Sequence, residues 1–572
     1  MTGSWPQKDV PRVSYSFKNP EATGPAAGGL FLRLKKTDPI LILCLWISFF
    51  TGITALTWGR YDCLNPDATA FKSIKKWPPL HPERFDTPPL HTYLNNTLIN
   101  EPSKWVAGAC VFFGADKIFA EKIRWQARML AARLLQAVLM LGCVVCVYLF
   151  SRDHFGRASA RVNALLLATS ASFLLNKIFL SSDISLVFWM LASLVASGRI
   201  LKTGGMKASV LAGMFAGFAT ATKYSGLAVA LAIPLAHMFH QDPRGILAFL
   251  RRRAFWVGGF AVPIAFVLAN PYSVLNYRKF SSDFMYTYFV TPIYDGQTGG
   301  SGYGAFFAAF PEILGWPLCL VLPLLLVCGL GWVIWKKPES AFAAMILCAA
   351  VFALYFWKIG GFPRIETRFV LPMGPVLLLL AAPGWEFLAR WRAAAVIPAL
   401  LLGLHGLASG FEITRQFTED PRMAALEWAD QNFPKSCKVE ASTGSPQWKW
   451  MVGKNVSVVN FPIGLDRNRR FSETLKDNPW VQERLKRNLS VNRPEFFTPG
   501  ELAERNSDFI TIDSQNLKDK MAAPFLKELL AGKHGYEVVF EKEAPPLPGW
   551  VYPSEPNCLR MKFYILGKKA GP

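Results

Sequence analysis

Residues 179–224 read FLSSDISLVFWMLASLVASGRILKTGGMKASVLAGMFAGFATATKY. Two apolar runs, 184–200 and 207–222, flank a short loop bearing Arg199, Lys202 and Lys207. A charge stands at the far end of each run, Asp183 before the first and Lys223 after the second. Nearly uncharged runs approaching about 20 residues cross hydrocarbon as helices, because inside lipid the backbone must bond to itself. Loops rich in Lys and Arg stay on the cytoplasmic side. The segment therefore predicts a membrane hairpin whose basic loop faces inward and whose Asp183 and Lys223 face outward.

The same reading extends in both directions to about eleven spans within residues 39–410. They are expected at 39–58, 128–150, 162–180, 184–200, 207–222, 225–240, 255–270, 313–335, 340–357, 369–384 and 393–410, the fifth and sixth being the shortest. Every second loop is basic: Arg33, Lys35 and Lys36, then Arg152, Arg157 and Arg161, then Arg199 to Lys207, Arg244 and Arg251 to Arg253, Lys336 and Lys337, and Arg390 and Arg392. This places residues 1–38 in the cytoplasm, where their polar, Gly- and Pro-rich composition predicts disorder and gives no cleavable signal. The outer face then receives loops 59–127, 271–312 and 358–368 and the tail 411–572. In the tail, PRMAALEWADQNF has helical period, while VSVVNF, DFITID, YEVVF and LRMKFYIL are short β-rich runs, so a small α/β domain is expected there. The fold class is thus an all-α polytopic membrane protein, with a membrane domain at 39–410 and an extracytoplasmic α/β domain at 411–572.

Composition agrees. The 572 residues are 52% hydrophobic, 14% aromatic and only 18% charged, which excludes a disordered chain or a coiled coil. The net charge of +22 would in a soluble protein suggest nucleic acid. After residue 410, however, 24 basic residues stand against 21 acidic, so almost all of the excess lies between the apolar runs, where it orients helices. No nucleic-acid partner is expected.

Candidate chemistry gathers at the outer ends of the spans. The first outer loop begins GRYDCLNPDATAFKSI, with Asp62 and Asp67 just beyond the first span. A carboxylate held there is partly desolvated and suits a general base, although Asp67 could equally cap a helix starting at Ala68. The loop continues as LHPERFDTPPLHTYLNNTL, containing Asp86, and reads as an interfacial helix or a structural turn. An acid as near hydrocarbon as Asp183 is functional by default or caps the next helix. Lys223 and Tyr224 occupy the turn after the fifth span, where Lys223 either snorkels to the headgroups or receives a phosphate. The loop KIGGFPRIETRFVLPMGP sets Lys358, Arg364, Glu366 and Arg368 against the positive-inside trend. Arg364 and Arg368 could grip a phosphate with Glu366 orienting them, or the three could be a surface ion cluster.

There is no phosphate-binding glycine loop, dinucleotide fingerprint or His/Cys cluster. Cys143 and Cys146 fall within a span, where small apolar packing is expected. Cys63 with Cys110, and Cys437 with Cys558, are either outer-face disulfides or unpaired thiols.

These elements, in this order, resemble the polytopic glycosyltransferases of the GT-C class, in particular the bacterial protein O-mannosyltransferase-like and aminoarabinose-transferase-like family. The resemblance covers residues 39 to 410. NPDA matches the acidic motif after the first span, with Ala68 where Glu is common; FDTPPLHTYL matches the Pro-Pro-Leu stretch, with Asp86 at an acidic position. Asp183 and GFATATKYSG match the third and fourth markers. RIETRFVLPMGP is similar to a His-Lys-Glu-x-Arg-Phe element, departing at Arg364 and Ile365 and keeping Glu366, Arg368 and Phe369.

The resemblance implies transfer of a sugar from a polyprenyl-phosphate donor to an envelope acceptor at the outer face of a bacterial inner membrane. It implies Asp67 as base, Asp86 and Asp183 as further acids, and Lys223, Tyr224, Arg364, Arg368 and Glu366 around the donor phosphate. Asp67, Asp86 and Asp183 could hold Mg²⁺ or Mn²⁺ if they converge, but no metal is assigned, because basic side chains can serve the same electrostatic end. The alternative is a transporter or flippase for a lipid-linked or anionic substrate, although no repeated halves are found.

Overall fold

The computed structural model describes residues 38–53, 74–75, 81–82, 85, 87–240, 248–285, 287, 302–336, 339–362, 365–441, 445, 446, 448, 454–460, 494–514, 516–518, 522–551 and 562–569. Among these, five helices are long and apolar enough to cross a membrane: Phe119–His154, Asp183–Thr203, Trp316–Lys336, Ser340–Gly360 and Arg392–Thr418. Shorter apolar helices span Pro39–Thr51, Tyr224–Phe239, Arg253–Ala269 and Met373–Leu388. One large core joins them, from Leu41 through Cys143, Leu194 and Ala216 to Trp385 and Leu402. Cys143 is fully buried in it, in keeping with a packing role.

The loops expected on one side do collect at one end of the bundle. There Asp38 accepts from Arg161 at 2.7 Å and from Tyr148 at 3.0 Å, Lys202 bonds the Asp153 carbonyl, and the Arg390 guanidinium lies 5.0 Å from the Trp335 ring. Asp183, Lys223, Glu366 and Arg368 are at the opposite end.

The expected span 369–384 is broken at Leu371 and Pro372 between the helices Thr367–Val370 and Met373–Leu388, and two other expected spans also differ from continuous helices. The stretch 162–180 falls in two helices, Arg157–Ala168 and Ala171–Ile178. At the break, Thr169 Oγ1 turns back to the Leu165 carbonyl at 2.9 Å, and Ser170 Oγ leaves its own helix for the Ile313 carbonyl at 2.8 Å. Such side chains offer the backbone an alternative to the helical ladder. The stretch 225–240 opens as a 3₁₀ helix, Tyr224–Leu231, and becomes α-helical at Ala232–Phe239. Gly226 lets this tighter turn lie against the Ala219 backbone, where a Cβ would come within 2.5 Å.

The expected interfacial helix is also displaced. The Pro-Pro-Leu stretch forms a short helix, Leu90–Asn95, whose His91, Thr92, Tyr93 and Asn95 are buried against protein. The apolar surface belongs instead to the following helix, Glu101–Phe112, where Trp105 and Phe112 are exposed, as is Phe113 just beyond it.

The tail contains a five-stranded sheet. Its strands are β3 (Ser436–Ala441), β4 (Asn455–Asn460), β5 (Phe509–Asp513), β6 (Tyr536–Glu543) and β7 (Lys562–Lys568), in order β4-β3-β5-β7-β6; β1 (Ile74–Lys75) and β2 (His81–Pro82) form a separate hairpin pair. β4, β3 and β5 are parallel, and β7 and β6 continue antiparallel. The expected helix is Pro421–Asn432, capped by Asp420, whose carboxylate accepts from the Arg422 N–H at 2.9 Å and is paired with the same residue's guanidinium at 2.6 Å. Cys437 is buried in this unit and Cys110 is half-buried; Cys63 and Cys558 lie outside the described residues. The sheet unit docks on the broken helix, where Leu547 and Val551 join Ala171, Leu174, Ile178 and Phe417 in one cluster.

Small residues let two helices touch through their backbones. Gly213 and Gly217, one turn apart on the Met206–Thr222 helix, face the Arg253–Ala269 helix so closely that a Cβ at Gly213 would sit 2.1 Å from the Gly258 carbonyl oxygen. This is the close approach that glycine permits between membrane helices. Gly259, next to Gly258, has nothing within 4 Å of its hypothetical Cβ. Gly213→Leu should therefore destabilise the protein in detergent by about 1–3 kcal/mol or more, the range for overpacking, whereas Gly259→Leu should melt like wild type in the same thermal-unfolding assay.

Candidate active site

Asp183 opens the Asp183–Thr203 helix, and Lys223 follows the last residue of Met206–Thr222. The partial positive charge of a helix N-terminus favours a carboxylate, and the negative C-terminus favours a cation. Both local fields therefore support the ion pair that joins the two side chains across the bundle. Asp183 is 1% exposed and Lys223 23%, so the acid is buried while its partner's side chain keeps some exposure. The second carboxylate oxygen of Asp183 is buried without a hydrogen-bond partner.

The chain enters this site through a strained turn. Leu180 has φ +56°, a left-handed conformation that costs a branched residue roughly 1–2 kcal/mol. Its side chain is fully buried with Ile99, Met129 and Ala132, which offsets that cost.

Two cations meet at Phe369. The Lys223 ammonium lies 5.7 Å from the ring centroid and the Arg368 guanidinium 5.3 Å, and Arg368 also pairs with Glu366 at 2.6 Å. The Phe369 carbonyl accepts from the buried Tyr355 hydroxyl at 2.8 Å, which fixes the ring's backbone. Thr367 donates to Glu312. Burial pushes the Glu312 carboxyl above the usual range, and that hydroxyl partly counters it.

The first outer loop is tied to the same place. His91 Nδ1 is 3.0 Å from Ser185 Oγ, both buried, two residues beyond Asp183. Tyr224, next to Lys223, donates its hydroxyl to the Phe85 carbonyl at 2.7 Å, while the Phe85 N–H donates to Asp283 at 2.9 Å. Farther out, Asn276 lies 3.0 Å from His81 Nε2.

Of the residues expected from sequence, Asp183, Lys223, Tyr224, Glu366 and Arg368 come together at one end. Asp67, Asp86 and Arg364 lie outside the described residues. Tyr224 serves as a loop anchor through its hydroxyl. Sequence reasoning missed Asp283, Glu312, His91 and Tyr355. Asp283 sits in KFSSDF within a long loop and carries no local signal, whereas His91 lies inside the Pro-Pro-Leu stretch and could have been flagged as a polar residue on a buried helix face. Among the described residues there is no group of three or more His, Cys, Asp or Glu that could hold a metal ion.

Residues 119–272, which include Asp183, Lys223 and Tyr224, match the model of a family described as dolichyl-phosphate-mannose-protein mannosyltransferase. No curated protein matches the chain in sequence. Among solved structures, it is similar to the oligosaccharyltransferase of Archaeoglobus fulgidus, at 14% identity over 88% of this chain and 73% of that one, with a TM-score of 0.46. It is also similar to ArnT from Cupriavidus metallidurans bound to undecaprenyl phosphate, at 12% identity over 92% and 96% of the two chains, with a TM-score of 0.46. Arabinofuranosyltransferase AftD from Mycobacteria shows 14% identity over 94% of this chain and 42% of that one, with a TM-score of 0.34. The family model covers only part of the chain, and over residues 119–272 the chain is similar to that mannosyltransferase family.

Proposed function

We propose that the protein moves a sugar from a polyprenyl-phosphate donor to an envelope acceptor, with inversion, at the end of the bundle opposite the basic loops. That end is the outer face of a bacterial inner membrane, with residues 1–38 inside, 39–410 forming the catalytic membrane domain and 411–572 outside. The observation that carries the reading is the convergence of Lys223 and Arg368 on Phe369, above a buried acid, within helices apolar enough to sit in lipid. The family description of the matched segment, a dolichyl-phosphate-mannose-dependent enzyme, supports the donor class.

A lipid-linked donor leaves its chain in hydrocarbon and its phosphate at headgroup depth. There Lys223 receives it: an ammonium has three donors, so pairing with Asp183 leaves capacity for a phosphate oxygen. Asp183 also aims the lysine. Arg368, oriented by Glu366, adds planar N–H donors, and Arg364 a second guanidinium. Asp67 takes the proton from the acceptor hydroxyl or amine as that group attacks the anomeric carbon, with Asp86 as the second acid of the loop. The bond from the anomeric carbon to the phosphate oxygen breaks, its electron pair goes to the phosphate, and the basic side chains stabilise the charge that develops. A phosphate leaves without protonation, so one in-line displacement is enough, in contrast to glycoside hydrolysis.

With purified protein, a panel of polyprenyl-phosphate sugars and an envelope extract as acceptor, wild type should transfer label and Asp67→Asn should lose it roughly 100-fold or more, the loss expected for a general base. Wild-type turnover by Asp67→Asn would remove Asp67 as base, and solute uptake into vesicles without any sugar transfer would replace the enzyme reading by transport. Arg368→Ala should weaken binding of decaprenyl phosphate, measured by equilibrium binding in nanodiscs, and unchanged binding would remove it from the phosphate site.

A different pattern is expected for the ion pair. Lys223→Met leaves a buried carboxylate uncompensated and should cost about 3–5 kcal/mol in thermal unfolding. Adding Asp183→Asn should restore stability without restoring transfer. If the double variant regains activity as well, the pair is structural only.

A further inference from the structure

Resting on the function proposed above, we infer that Asp283 and Tyr224 are positioning residues that hold the first outer loop over the Asp183–Lys223 pair by gripping the peptide groups of Phe85 from both sides. Each half of the grip is explicit. The Phe85 N–H donates to Asp283 Oδ2 at 2.9 Å, and the Phe85 carbonyl accepts from the Tyr224 hydroxyl at 2.7 Å. Three segments far apart in sequence thus converge on one residue, and the Tyr224 arm begins one residue after Lys223.

The surroundings make the grip rigid. Phe85 is fully buried, and its ring packs edge-on against Phe280 at 5.7 Å. Phe280 also stacks on Phe284 at 6.0 Å, and Phe284 meets the Tyr224 ring at 4.9 Å, so an aromatic cluster fills the space between the two polar arms. Lys279, one turn before Asp283 on the Tyr277–Met285 helix, donates to the same carboxylate oxygen at 3.1 Å. A hydrogen bond to a charged acceptor is stronger than one between neutral groups, which makes Asp283 the firmer arm.

The Phe85 N–H and C=O belong to the peptide groups on either side of its Cα, and neither group can rotate without breaking its bond to Asp283 or Tyr224. Phe85 immediately precedes Asp86, and five residues later the chain enters the helix whose His91 contacts Ser185. The grip therefore fixes Phe85 beside Lys223, as the His91–Ser185 contact fixes His91 beside Asp183. Asp283 and Tyr224 touch no reacting atom in this scheme. They set distance and angle for groups that do, and small misplacement of a reacting group is expensive in rate.

The test uses full-length protein in nanodiscs, with decaprenyl-phosphate mannose among the donors and an envelope extract as acceptor. Asp283→Leu removes one arm, Tyr224→Phe the other, and Asp283→Asn retains an acceptor for the Phe85 N–H. Hydrogen–deuterium exchange of the peptide covering Phe85 should quicken in Asp283→Leu and stay slow in Asp283→Asn. Both Asp283→Leu and Tyr224→Phe should lower kcat roughly 10- to 100-fold, with donor KM and melting temperature near wild type, and Asp283→Asn should keep most of the rate. Should Asp283→Leu prove unstable, Tyr224→Phe, which loses one oxygen, carries the test alone. Faster exchange with unchanged kcat, or loss of rate that only follows loss of melting temperature, overturns the positioning role. Unchanged exchange in Asp283→Leu overturns the grip itself, whether or not any donor is turned over. Wild type that transfers no sugar from any donor instead defeats the underlying glycosyltransfer reading, and the positioning role falls with it.

Discussion

The Asp183–Lys223 ion pair is the constraint around which the functional end of the bundle is arranged. Taking a carboxylate out of water costs several kcal/mol unless a cation and a favourable field replace the solvent. Here the field comes from the secondary structure itself, since the acid stands at a helix N-terminus and the base at a C-terminus. The two helices must then end at the same depth, and the helix bearing Lys223 is held at its depth by the Gly213 and Gly217 contact with Arg253–Ala269. Packing in the middle of the bundle thus sets the height of a charge at its end.

The loops are attached beside the pair. Ser185, two residues after Asp183, holds His91; Tyr224, one residue after Lys223, holds Phe85; and Phe369, beneath both Lys223 and Arg368, is fixed by Tyr355. A loop tied at such points inherits the rigidity of the helices. A fixed separation between loop and helix ends is what a reaction between two bound groups requires.

Much of this was legible in the sequence, for identifiable reasons. Hydrophobic run length and loop charge located Asp183, Lys223 and Arg368 at one end, because both signals are local and depend only on the lipid as solvent. The tail helix Pro421–Asn432 and the runs that became β4 to β7 were readable from period and cap, although β3, in SCKVEA, was not anticipated. What could not be read depends on partners distant in sequence. The break at Thr169 and Ser170 requires the Ile313 carbonyl, 143 residues away, and the role of Asp283 requires Phe85, 198 residues away. The burial of Leu90–Asn95 likewise depends on the distant Met206–Thr222 helix and on Ser185, which meets His91, so an apolar stripe that suggested a membrane surface faces protein.

The broken helix links the tail to the site. A single straight span over 162–180 would carry the chain out of the bundle in one direction. Instead the second piece, Ala171–Ile178, presents Ala171, Leu174 and Ile178 to Leu547 and Val551 of the sheet unit, and Phe179 packs on Phe417 at 5.8 Å. The chain then reverses through the left-handed Leu180 and reaches Asp183 three residues later. An unfavourable backbone conformation persists only where the surroundings over-determine it. Here the sheet unit holds one side of the turn and the Met129–Ala132 cluster the other. The tail domain is therefore part of what places the buried acid, even though none of its described residues stands among those that meet at Phe369.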